Sequence, residues 1–137
     1  MTKFDWCIDS ENYLSNKDKY ADKLPTKDFI RYVAKSLNEY KDKYTLEQIK
    51  AKQLPHCHFC PDLERKKSAE ARRLRKHLEE INKSLGERMC IALEIEQIFQ
   101  FPIKNVPNKP EYRCFGYFLD NVFYLVYLDP NHDVYKE

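Results

Sequence analysis

The stretch Tyr112–Tyr135, YRCFGYFLDNVFYLVYLDPNHDVY, decides the fold. Asp120-Asn121 separates two runs rich in aromatic and β-branched residues, and both residues tolerate the backbone angles a two-residue hairpin loop needs. With that loop, Leu119 faces Val122, and the pairing runs outward two by two. One face then carries Tyr117 opposite Tyr124, Phe115 opposite Val126 and Arg113 opposite Leu128. The other carries Phe118 opposite Phe123, Gly116 opposite Leu125, Cys114 opposite Tyr127 and Tyr112 opposite Asp129. Both faces are mainly apolar, so the hairpin must be covered on both sides or lie inside a sheet. Gly116 inside a strand marks a bulge or a close approach of backbone. Asp129-Pro130-Asn131-His132 ends the second strand in a type I turn, with proline at its second position and Asp129 free to accept from the amides that follow.

Working outward, Ile98–Ile103 reads as a third strand, and Pro107, Asn108 and Pro110 form the loop into the hairpin. Upstream, Thr26 is placed as an N-cap, and Phe29, Ile30, Val33, Ala34, Leu37 and Tyr40 recur at helical spacing. A shorter helix fits Thr45–Gln53, where Thr45 and Gln48 have capping-box spacing. A long helix is expected over Asp62–Leu85, capped by Asp62 and stopped by Gly86, with Leu74, Leu78, Ile81 and Leu85 as a narrow seam. Its first half, rich in Arg and Lys, has little to bury. Residues 1–25 read as irregular, although Phe4, Trp6 and Ile8 alternate as a short strand does and Tyr13, Leu14 and Tyr20 are possible anchors. From Met89 to Ile103 the period fits strand and helix, with the strand favoured over Ile98–Ile103. The expectation is one α+β domain over 1–137: N-terminal helices, about 26–86, packed on a small antiparallel β-meander formed by the C-terminal third, about 98–137.

Composition narrows the function. The chain has 137 residues, a net charge of +2 and two glycines, which leaves no phosphate-cradling glycine loop. The N-terminus has no apolar leader and no run reaches membrane-spanning length, so a cytoplasmic protein with no membrane partner is expected. Five cysteines fit free thiols or metal ligands better than a disulfide framework.

Three constellations carry chemistry. Cys57 and Cys60, with His58 between them, have the spacing that brings two thiolates to one tetrahedral Zn²⁺; without a second pair this is half a zinc site, and buried thiols in a loop explain it equally. Arg65, Lys66, Arg72, Arg73 and Lys76 form a basic stripe if one helix carries them all, suited to an RNA backbone or an acidic partner protein, or simply solvated. Arg113, His132 and Tyr135 gather at the open end of the hairpin. A guanidinium, an imidazole and a phenol are what metal-independent RNA cleavage needs: a base for the 2′-hydroxyl, an acid for the leaving oxygen, and a cation for the phosphorane. The alternative is that His132 closes the turn and Arg113 pairs with Asp129 or Asp133. No carboxylate pair with motif spacing supports a metal-dependent nuclease.

The strand, glycine-containing hairpin and final Asp129-Pro130-x-His132-x-x-Tyr135 resemble the end of a family of small, uncharacterised bacterial proteins, which also tend to carry an upstream Cys-His segment such as Cys57-His58. That resemblance implies a shape and no activity. Helices followed by a meander with Tyr112-Arg113 more loosely resemble the RelE/ParE/HigB toxin fold, which implies cleavage of messenger RNA, although the cysteine cluster and the terminal turn depart from it. The sequence thus points to an RNA-acting protein of toxin–antitoxin or defence type. The competing reading is a non-catalytic module that binds nucleic acid or protein and holds a structural zinc.

Overall fold

The computed structural model describes residues 2–8, 26–89 and 98–135. Tyr13, Leu14, Tyr20 and residues 90–97 of the ambiguous run lie outside them. Five strands, β1 (Asp5–Ile8), β2 (His58–Phe59), β3 (Ile98–Pro102), β4 (Arg113–Leu119) and β5 (Val122–Asp129), form one sheet of order β1-β5-β4-β3-β2. β2 to β5 pair antiparallel, and β1 lies parallel to β5. The alternation of Phe4, Trp6 and Ile8 is therefore that of a true strand. The architecture is α+β, with the meander supplied by the C-terminal third.

The hairpin loop is Asp120-Asn121, with Asp120 at φ 55°. The Asn121 carbonyl accepts the Asp5 amide at 2.9 Å and its side chain donates to the Lys3 carbonyl at 3.2 Å, so the loop also fixes the start of β1. The expected register holds from Leu119–Val122 to Gly116–Leu125 and then slips. A bulge follows Gly116, so Phe115 pairs with Tyr127, Cys114 with Leu128 and Arg113 with Asp129. The extra residue, Val126, shifts the pleat and places Tyr127 on the opposite face from the one its alternation implies. The physical reason lies at Gly116, where a Cβ would stand 2.2 Å from the Tyr124 carbonyl oxygen.

Both sheet faces are covered. On one, Phe99, Phe101, Cys114, Phe123, Leu125 and Leu128 pack with Val33, Leu37, Tyr40 and Ile49. These come from α1 (Lys35–Lys43), from the π-helical segment Phe29–Ala34 that precedes it, and from α2 (Leu46–Lys50). Thr26 is the first residue of a helical turn, Thr26–Asp28, rather than its cap. The wider π winding changes the phase of the inner face, and Ile30 is left 61% exposed where a regular helix buries it. α2 begins with the expected capping box: Gln48 N donates to Thr45 Oγ1 at 3.2 Å, and Thr45 N to Gln48 Oε1 at 2.8 Å.

On the other face, Phe115, Tyr117, Val126 and Tyr127 pack against Ala71, Leu74, Leu78 and Ile81 of α3 (Ala69–Met89). The expected helix over Asp62–Leu85 is broken. A 3₁₀ turn, Leu63–Arg65, precedes an extended Lys66, and α3 starts afresh with Ser68 Oγ accepting from Ala71 N at 3.0 Å. Asp62 makes no capping bond, and the helix continues through Gly86 to Met89. The first half of α3 does bury one face, with Glu70, Ala71 and Leu74 turned inward. Tyr127 donates to Glu70 Oε2 at 2.5 Å, and Arg75 Nη1 donates to the Leu63 and Lys66 carbonyls at 2.8 and 2.5 Å, locking the turn to the helix. Among the described residues no helix is long and apolar enough to cross a membrane.

Candidate functional site

The loop between β3 and β4, with Lys104, Lys109 and Pro110, lines a cleft of about 510 Å³. Pro55-His56, just before β2, and Tyr40 of α1 in the helical layer also line it. Arg113, the first residue of β4, also lines the cleft, although the side chain is only 4% exposed. Its Nη1 donates to the Tyr112 carbonyl at 3.1 Å, while its buried Nε has no partner among the described residues. A buried donor left unpaired costs about 1–3 kcal/mol, more on a charged group. Burial lowers the guanidinium pKa, and the carboxylates of Glu111 and Asp129 oppose that shift.

Other positive groups line the same space. Lys104 holds its ammonium 4.6 Å from the Tyr40 ring, and its backbone amide donates to Ser36 Oγ at 2.9 Å. Lys109 donates through Nζ to Asn131 Oδ1. The His56 pKa is lowered by burial first, then by Arg113 and His58, against an opposing pull from Glu111. The imidazole is therefore neutral near pH 7 and able to accept a proton. The backbone is also bent to make this space. His56, Asn105 and Asn108 all line the cleft at φ between 62° and 64°, where a residue with a Cβ is strained by roughly 1–2 kcal/mol, least for asparagine.

Of the three expected catalytic residues, only Arg113 lies here. The His132 ring stacks on Tyr135 at 6.0 Å, and Tyr135 stacks on Phe115 at 6.3 Å. The Tyr135 hydroxyl meets Asp62 Oδ1 at 3.5 Å, Lys66 Nζ lies 5.3 Å from its ring, and burial raises its pKa far above that of free tyrosine. Neither residue lines the cleft. His132 N donates to the Asp129 carbonyl at 3.4 Å, so this histidine closes the turn.

The zinc set does not converge either. Cys57 is buried in the core under α1 and Cys60 in the core under α3, so the two thiols enter opposite sides of the sheet. His58 Nδ1 lies 2.7 Å from the Phe59 carbonyl. Burial pushes the Cys57 thiol up to about 11 and that of Cys60 to about 12, which keeps both protonated at neutral pH. No three His, Cys, Asp or Glu side chains among the described residues are grouped to hold a metal ion.

The basic stripe is split by the break before α3. Arg65 and Lys66 belong to the 3₁₀ turn and its end, with Lys66 3.9 Å from Asp62. On α3, Arg73 stands 3.9 Å from Glu70, while Arg72 and Lys76 are exposed. His56, Lys104 and Lys109 were not apparent as partners of Arg113 from sequence. The available signal was KNVPNKPEYR (104–113), three cations in a Pro/Asn loop.

Opposite Arg113, Asp129 is fully buried and accepts from the Asp133 and Val134 amides, both at 2.9 Å. Burial raises its pKa to about 6 despite those amides, with Asp133 and Glu70 adding repulsion. The folded state thus holds this proton more tightly than the unfolded chain. Its contribution is complete below about pH 4 and is lost as pH rises through about 6. Urea unfolding from pH 4 to 7 should show wild type losing up to roughly 3 kcal/mol relative to Asp129→Asn, at 1.36 kcal/mol per pKa unit. A flat difference between the two proteins would contradict the assignment.

Residues 3–137 match the family described as Uncharacterised protein UU032. The chain belongs to that family. The match spans both helical layers and the whole sheet, so the cleft around Arg113 lies within the UU032 unit. No curated protein and no solved structure matches the chain.

Proposed function

We propose that this UU032 chain acts on RNA, gripping phosphate in the cleft around Arg113. The observation that carries this reading is that the buried Arg113, whose Nε has no partner among the described residues, lines the cleft alongside Lys104, Lys109 and His56. A charged donor kept from water and from protein acceptors gains most when an anionic oxygen reaches it. If the chain cleaves as well as binds, Arg113 keeps its expected part and His56 takes that of His132. Neutral His56 takes the 2′-hydroxyl proton, Arg113 stabilises the charge on phosphorus, and water protonates the leaving oxygen.

Anisotropy titration of a single-stranded RNA at 50 and 200 mM salt tests the binding. Three phosphates neutralised give a log–log slope of about −2, or roughly twentyfold weaker binding across that range. Unchanged affinity sinks a phosphate-led mode. The same RNA, analysed after saturation, reads catalysis: a cleaved product with a cyclic phosphate end supports the nuclease, and intact RNA assigns the chain to binding alone.

A further inference from the structure

We propose that the cleft takes the terminal phosphomonoester of a nucleotide rather than an internal phosphodiester of the chain. This rests on the reading that the cleft is an RNA phosphate site; it specifies which phosphate enters and sets aside cleavage of an internal phosphodiester there.

The first argument is access. Arg113 lines the cleft with only 4% of its surface exposed, so its guanidinium is met only by a group that can lead into the cleft. An internal phosphate is ester-linked on both sides and offers two free oxygens with a sugar to either hand. A terminal phosphate is linked once and offers three. The second argument is charge. A phosphomonoester carries about −1.5 to −2 at pH 7, against −1 for a diester. Arg113, Lys104 and Lys109 supply that positive charge, while neutral His56 remains as a hydrogen-bonding group. The third is size and lining. About 510 Å³ lies in the range of a site for one small ligand rather than a long strand. Pro55, Pro102, Pro110 and Val106 give the rest of the nucleotide an apolar surface beside the Tyr40 ring.

The full chain is titrated with one RNA hexamer in 5′-hydroxyl, 5′-phosphate and 3′-phosphate forms, and with adenosine 5′-monophosphate. The expected result is at least tenfold tighter binding of one phosphorylated end than of the hydroxyl form. Lys104→Ala, an exposed position, and Arg113→Lys are expected to remove most of that preference. Adenosine monophosphate binding as tightly as the better phosphorylated hexamer also supports the site and identifies a free nucleotide as sufficient. Equal affinity for all hexamers, with the salt dependence intact, overturns the terminal-phosphate assignment and leaves RNA binding standing. No binding to any of the four ligands overturns both.

Discussion

Replacing Gly116 by alanine is expected to destabilise the protein by about 3 kcal/mol, at the upper end of what overpacking costs. The added methyl would stand 2.2 Å from the Tyr124 carbonyl oxygen and 2.6 and 2.9 Å from ring carbons of Phe123. Neither neighbour has room to yield. The carbonyl belongs to the partner strand of the hairpin, and the Phe123 ring is held between Phe101 at 4.9 Å and Phe118 at 5.3 Å. Accommodation therefore means moving β5 away from β4 at the bulge, between the two cores. For a domain stabilised by roughly 5–15 kcal/mol in all, that loss is large. Urea unfolding of Gly116→Ala measures it, and a loss below about 1 kcal/mol would show that the strands separate more easily than the packing implies.

Arg113→Met is expected to move binding and stability in opposite directions. An apolar side chain of similar length removes a buried charge whose Nε has no partner among the described residues, so the melting temperature is expected to hold or rise. RNA affinity is expected to fall by at least about thirtyfold, the equivalent of about 2 kcal/mol for losing a buried charged partner. Arg113→Lys keeps the charge but loses the planar donor at the Nε position, and an intermediate loss is expected. Calorimetry for stability and anisotropy for binding check both halves. A large drop in melting temperature with unchanged affinity would make Arg113 a structural residue and empty the cleft of its role.

Much of the fold was legible because hydrophobic alternation is a local signal. The hairpin loop, its register as far as Gly116, the need to cover both faces and the Thr45–Gln48 capping box all follow from neighbours in the chain. The sequence even marked Gly116 as the place where regularity ends. It could not say which strand takes up the extra residue, and the choice of Val126 re-aims everything beyond. Arg113 consequently faces Asp129 and not Leu128. The break before α3 was hidden for a similar reason. Lys66 and Lys67 have good helix propensity, and only the tertiary bonds of Arg75 to two carbonyls reveal why the chain turns there. The Cys57–Cys60 spacing allows a shared metal, but the two-residue strand between them sends the thiols to opposite cores. The cleft itself is assembled from three distant segments, around residues 40, 55 and 102–113, so no local pattern announces it.

The central claim is that the Arg113 cleft, and not the exposed basic face of α3, receives RNA. Amide hydrogen exchange of the full chain with and without a saturating short RNA tests it directly. The account predicts slowed exchange in the 55–57 and 103–113 segments, with the turns bearing Arg72 and Lys76 unchanged. Slowed exchange confined to α3, with the cleft segments exchanging as in the free protein, would contradict it.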